Sequence, residues 1–204
     1  MITRREMLGR LGALLGMMAA STAATPLSTA ARVRAQTAAS ETLIALTPAE
    51  AETVRAVVAR LIPADENGPG ALEARADRYI DRALAGALKS SRTAYTTGLA
   101  DLNARAQAAK GAAFARLSTA DQDAVLTTFQ TTSAQFFNLI RTHTIQGTFS
   151  DPFYGGNANF VGWNLIGYPG ARTTVSADLQ RLDKKPEPSQ KSAYDYAMFS
   201  KGEV

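Results

Sequence analysis

The chain has 204 residues, a formal net charge of +4, one histidine and no cysteine. Zero cysteine excludes disulfides, iron–sulfur clusters, covalent haem attachment and thiol chemistry, and a lone histidine cannot supply bis-histidine haem ligation. The positive charge belongs to the N-terminus: residues 1–35 hold five arginines (4, 5, 10, 32 and 34) against Glu6, which leaves 17 basic and 17 acidic residues in 36–204, so the rest of the chain carries no electrostatic case for nucleic acid.

Thr3, Arg4 and Arg5, followed by Met7, Leu8 and the apolar run Leu11–Ala20, fit a twin-arginine export signal. The run is short for a permanent span, and small residues follow it, with cleavage points after Ala30 or Ala35. An ordinary Sec signal and an uncleaved anchor are the alternatives. The reading predicts a leader over 1–35, the twin-arginine translocase as a partner and the periplasm as destination. Residues 36–204 have the length of one domain, enough to bury roughly 70% of the unfolded surface without covalent staples.

Residues 47–62 read as a helix: Thr47 caps it, Pro48 takes the first position, Glu50 completes a capping box and Pro63 ends it. Val54, Val57, Val58, Leu61 and Ile62 form its apolar stripe. Asp65–Gly70 (DENGPG) is a turn. A second helix is predicted over 71–88, with Leu72, Ala76, Tyr79, Ile80, Ala83, Leu84 and Leu88 inward. A third covers 93–110 on Tyr95, Leu99 and Leu102. A fourth starts at Ser118, with Asp121 at the capping-box position and Leu117 as a staple, and reaches about Ile145 on Val125, Leu126, Phe129, Phe136, Leu139 and Ile140. The echo between LTPAE at 46–50 and LSTAD at 117–121 reads as two helices that start with the same capping chemistry. No alternating β-branched run appears. The fold class is therefore all-α, a small helical bundle over 36–180 with a long glycine- and aromatic-rich ordered loop and an extended C-terminal arm over 181–204. The arm's LDKKPEPSQKS reads as extended or disordered, while Tyr194–Phe199 is apolar enough to pack on a partner or on the chain itself.

The loop, GTFSDPFYGGNANFVGWNLIGYPG over 147–170, holds the only tryptophan among many glycines. So many rings exclude a flexible linker, and so many glycines exclude a core helix. The segment reads as a recognition or docking surface with a partly glycine-only backbone path. Asp151, ahead of Pro152, is placed to cap the loop. Gly155-Gly156-Asn157 reads as a tight turn using positive φ, because it lacks the strand, lysine and spacing of a phosphate loop. Phe153, Trp163 and Tyr168 fit a core cluster, interface anchors or a sugar-stacking platform. His143, near the end of the fourth helix, reads as structural. The acid pairs Asp65–Glu66 and Asp121–Asp123 read as turn and helix-start residues rather than a glycosidase pair.

Asp151–Asn157 (DPFYGGN), Gly162-Trp163 and Gly167–Gly170 (GYPG) together resemble the signature of the gluconate 2-dehydrogenase subunit 3 family. The resemblance extends upstream through Leu46-Thr47-Pro48, 61–65 (LIPAD), 69–71 (PGA) and 79–81 (YID), and so over most of 46–170. It implies a non-catalytic small subunit with no cofactor or metal of its own. Its partners would be a large FAD-containing dehydrogenase subunit and, in many such complexes, a multihaem cytochrome c subunit that passes electrons to quinone at the inner membrane. It also implies that the small subunit supplies the export signal through Arg4 and Arg5 and aids maturation of the flavoprotein. Asp151, Tyr154, Gly155, Gly156, Asn157, Gly162, Trp163, Gly167, Tyr168 and Pro169 are its motif residues, either partner contacts or a folding motif that shapes the loop. Two alternatives stay open: a stand-alone periplasmic sugar-binding or hydrolytic protein that uses 151–170, and a chaperone that leaves after export.

Overall fold

The structure, a computed structural model, describes residues 42–183 and 186–199. The leader expected over 1–35, with Arg4 and Arg5, lies outside the described residues. Six α-helices and no strand occupy the described part, as an all-α bundle requires.

Helix α1 (Pro48–Leu61) begins as its sequence dictates: Thr47 Oγ1 accepts the Glu50 amide and Glu50 returns the bond to the Thr47 amide at 2.8 Å. Thr53, Val54, Val57 and Val58 form its buried face. Past Pro63 the chain turns through Asp65 and Gly68, whose backbones exchange two hydrogen bonds.

Helix α2 (Ala76–Ala85) is shorter than the predicted 71–88. Residues 71–75 form turns instead, and Arg75 sits in the left-handed region at φ 60°. Two distant bonds divert this stretch: the Ala71 amide docks on the Ile62 carbonyl, and the Ala74 carbonyl takes the Ala158 amide. Within α2, Ala76, Ile80 and Leu84 are buried, while Leu72, Tyr79 and Leu88 pack at the core edge. Asp81 is buried beside them and its carboxylate accepts three consecutive amides, those of Ile44, Ala45 and Leu46, at 2.8 to 3.0 Å. This carboxylate ties the segment before α1 to α2, because three amides leaving water need acceptors.

Helix α3 (Arg92–Lys110) buries Tyr95, Leu99 and Leu102 as expected, and ends at Gly111 in the left-handed region. Arg92 forks onto the Glu50 carboxylate (2.7 and 2.9 Å), and this pair joins the starts of α1 and α3. Below α3, the buried Phe114 is held by Asn103, which accepts its amide, and by Gln122, which donates to its carbonyl.

The predicted fourth helix is two helices, α4 (Thr119–Thr132) and α5 (Ala134–Phe149), broken at Ser133. Ser133 adopts φ −133° and ψ 44°, and its hydroxyl donates to Asp101 on α3 at 2.7 Å. Periodicity hides this break, since Phe129 and Phe136 are seven residues apart and both buried. Ser118 caps α4 by accepting the Asp121 amide, but Asp121 turns to the Ser118 hydroxyl and Lys110 instead of closing a capping box. Helix α5 packs most closely on α2, and its C-terminal end delivers the chain into the glycine-rich segment.

Candidate functional site

The signature segment begins where α5 ends. A helix terminus leaves its last carbonyls without intrahelical partners, and here three groups converge on them. The Asn157 amide donates to the Gly147 carbonyl at 2.7 Å. Asn157 Nδ2 donates to the Ser150 carbonyl at 2.9 Å, and the Trp163 indole N–H donates to the Phe149 carbonyl at 2.9 Å. Asn157 then turns its other side-chain atom forward: Oδ1 accepts the amides of Gly162 (2.8 Å) and Trp163 (3.4 Å), at the start of the short helix α6 (Val161–Leu165). One fully buried side chain thus closes one helix and opens the next.

The loop lies so close to α5 that a Cβ on Gly156 would stand 2.1 Å from the Gly147 carbonyl oxygen, and one on Gly162 1.8 Å from that of Thr148. Only glycine fits at these two points. The turn at Gly155 has φ 94°, as the GGN reading expects, and Asn157 continues it at φ 43°. The left-handed path is not confined to glycine, however: Asn159 (φ 54°) and Phe160 (φ 58°) adopt it too. For a bulky residue this costs on the order of 1–2 kcal/mol, offset locally by packing of the Phe160 ring on Trp163, 5.4 Å between centroids.

Trp163 is buried, with Tyr168 set edge-on at 4.9 Å. Tyr168 itself is exposed, and its amide bonds the Trp163 carbonyl. Gly167 bends the chain at φ 65°, and the Pro169 carbonyl accepts the Ser189 amide at 2.7 Å. That last bond belongs to the C-terminal segment: of the two alternatives for the apolar end of the arm, the described residues 186–199 take the packing on the chain itself and fold back on the signature.

Asp151 organises this contact. It caps its own turn by accepting the Phe153 amide, as expected, and it also accepts the Ser192 hydroxyl at 2.6 Å and the Ala193 amide at 2.9 Å. Ser192 and Asp195 form a capping box, an S-x-x-D pattern present in the sequence and overlooked there. The Tyr194 ring stacks on Phe153 at 3.7 Å, and its hydroxyl meets that of Tyr154 at 3.0 Å. That contact is the first cause of the upward shift of the Tyr154 hydroxyl's pKa. Tyr196 donates to the Ala171 carbonyl, Ala171 donates to Lys191, and Arg172 donates to the Glu187 carbonyl.

His143, expected near the end of the fourth helix, lies within α5, more than a turn before its end. It is buried and shares a 3.0 Å hydrogen bond with Tyr95, whose ring is parallel to it. Burial lowers the pKa of the imidazole and raises that of the Tyr95 hydroxyl. A histidine whose folded pKa is depressed binds its proton more readily when unfolded. Its contribution is present above the unfolded value, near 6.5, and is lost as pH falls below it toward the folded value. Unfolding free energy should therefore drop between pH 7 and pH 5.5, and urea titrations of the His143→Gln variant should show a flatter profile.

Three of the four acids in the two pairs have structural partners. Asp65 accepts the Asn67 amide, Asp121 meets Ser118 and Lys110, and Asp123 takes both arms of Arg60. A cavity of about 300 Å³ opens between Leu61, Ile62, Gln130, Phe137, Arg141, Thr144 and Ile145. None of the signature residues lines it.

No curated protein and no solved structure matches the chain. The family model described as gluconate 2-dehydrogenase subunit 3 matches residues 48–170, from the first residue of α1 to the last glycine of the signature. That span covers well over half of the chain, including the whole bundle and the loop that closes α5, and the chain belongs to the gluconate 2-dehydrogenase subunit 3 family.

Proposed function

We propose that the chain is the non-catalytic small subunit of a periplasmic FAD-dependent dehydrogenase complex, and that it aids export, maturation and stability of the large flavoprotein subunit. The observation that carries this reading is where the signature directs its polar groups. Asn157, Asp151 and the Trp163 N–H are all engaged with backbone or with the C-terminal segment, and the large groups left facing solvent are rings and aliphatic side chains, Phe153, Tyr154, Leu165, Ile166 and Tyr168, with Asn159 and Asn164 the exposed amides among them. An aromatic face with few free polar groups suits protein contact better than chemistry.

FAD is assigned to the large subunit and haem c to a third. The signature residues fit neither group: there is no cysteine for haem c attachment, and the Gly155 and Asn157 amides that a phosphate in the glycine turn would need already donate to the Pro152 and Gly147 carbonyls. Among the described residues no helix is long and apolar enough to cross a membrane, so attachment to the inner membrane is assigned to the partner subunits. Substrate choice then lies outside this chain.

The chain should co-purify with a larger FAD-containing polypeptide. Arg4→Lys combined with Arg5→Lys should leave both chains in the cytoplasm, read by fractionation and flavin absorbance. Flavoprotein that reaches the periplasm regardless would end the carrier role. A small chain absent from the mature complex on size exclusion would mark a departing chaperone. Turnover of a sugar or sugar acid by the isolated chain would overturn the non-catalytic reading.

A further inference from the structure

We infer that the face which docks the large dehydrogenase subunit is composite, made jointly by the signature loop and the C-terminal segment, with Phe153, Tyr154 and Tyr194 at its centre and Met198 and Phe199 following in the same segment. This rests on the small-subunit reading above.

The rings form one continuous cluster: Phe153 stands 5.5 Å from Tyr154 and 3.7 Å from Tyr194, and Tyr154 stands 6.1 Å from Tyr194. Phe153 and Tyr154 remain 49% and 46% exposed even with Tyr194 packed against them, and Met198 and Phe199, in the next turn, are 69% and 51% exposed. The covering segment therefore leaves the rings half open and carries exposed apolar side chains of its own. Half-exposed rings of this size present a few hundred Å² in total, the scale of the largest patch on an ordinary monomer and of the centre of a standard interface.

The face is also held in one shape. Both Asp151 oxygens, the stacked ring pair and the tyrosine hydroxyl contact fix Tyr194 before any partner arrives, so docking does not have to order it. Its chemistry identifies the occupant class. Residues 36–204 carry balanced charge, so net-charge attraction at long range contributes little, and the exposed rings make the contact an apolar one, as in a permanent complex. The family is defined as one subunit of a dehydrogenase, so the polypeptide that covers this face is another subunit of that enzyme. The family match ends at Gly170, whereas Tyr194, Met198 and Phe199 lie beyond it.

The experiment uses the full chain and the FAD-containing subunit that co-purifies with it, with affinity read by titration and folding by urea denaturation. Tyr194→Ala removes the stack and the hydroxyl contact and should weaken binding about tenfold or more. Phe199→Asp leaves the contacts of Ser192, Ala193 and Tyr194 with Asp151, Phe153 and Tyr154 in place and should weaken binding with little change in unfolding midpoint, so it decides the matter if Tyr194→Ala fails to fold. Unchanged affinity in a folded variant overturns the inference. Tighter binding by Tyr194→Ala also overturns it, because the segment would then be a cover that must be displaced. Variants that lose self-association but keep flavoprotein binding would assign the face to a second copy and overturn it as well. A wild-type chain that retains no flavoprotein ends the small-subunit reading itself, a distinct result.

Discussion

Asn157→Ala is expected to lower the unfolding free energy by about 3–5 kcal/mol. The substitution strands the Ser150 carbonyl at the end of α5 and the Gly162 amide at the start of α6, where Asn157 bonds both within 2.9 Å. Each orphaned buried group costs roughly 1–3 kcal/mol. Alanine must also occupy φ 43°, which costs on the order of 1 kcal/mol. Asn157→Gly separates the two effects: it relieves the backbone and loses only the side-chain bonds, so it should recover about 1 kcal/mol. Asn157→Asp keeps the acceptor toward Gly162 but directs a carboxylate oxygen at the Ser150 carbonyl, on the negative end of the α5 dipole, and should be as damaging as alanine. Urea titration measures all three. A loss below about 1 kcal/mol for Asn157→Ala would show that the loop closes α5 by other means.

Trp163→Ala should be of similar size, about 3–5 kcal/mol, the usual cost of emptying a large aromatic site. The indole is 6% exposed and touches Phe160 and Tyr168, and its N–H is bonded to the Phe149 carbonyl. Trp163→Phe keeps a ring in the site but strands that carbonyl, and should cost about 1–2 kcal/mol. Because the indole faces inward, the folded fraction of Trp163→Ala should bind the dehydrogenase subunit with near-native affinity. A loss of affinity larger than the loss of folded protein would make Trp163 an interface anchor.

Most of the bundle was legible because its signals are local. Thr47, Pro48 and Glu50 act within one turn, and the stripes of Val54–Val58 and Tyr95–Leu102 report burial directly. The two misplaced boundaries are set by residues far away in sequence. Ser133 breaks α4 from α5 through Asp101, 32 positions earlier, and the stretch before α2 is pulled out of helix by Ile62 and Ala158. Neither bond leaves a mark on hydrophobic periodicity. Asp81 had the same invisibility, since nothing near it predicts that it gathers three amides from 44–46. In the signature, the glycine turn and the capping role of Asp151 could be read from residue types, because both act within two or three residues. The engagement of Ser192 and Ala193 by the same carboxylate could not, although the Ser192–Asp195 capping box marked an ordered turn where the charged, proline-bearing stretch suggested none. Left-handed Phe160 was equally hidden, because its choice of φ is dictated by the ring it meets.

Ser192 is added to the growing chain 41 positions after Asp151. The helical body can fold on the ribosome from its N-terminal side, but Asp151 meets Ser192 and Ala193 only once residue 193 has been made. Chains that stop, or are clipped, between the bundle and residue 194 would keep the helices yet lack the Tyr194 ring. A companion polypeptide that requires that ring would then assemble only with copies that reach past it.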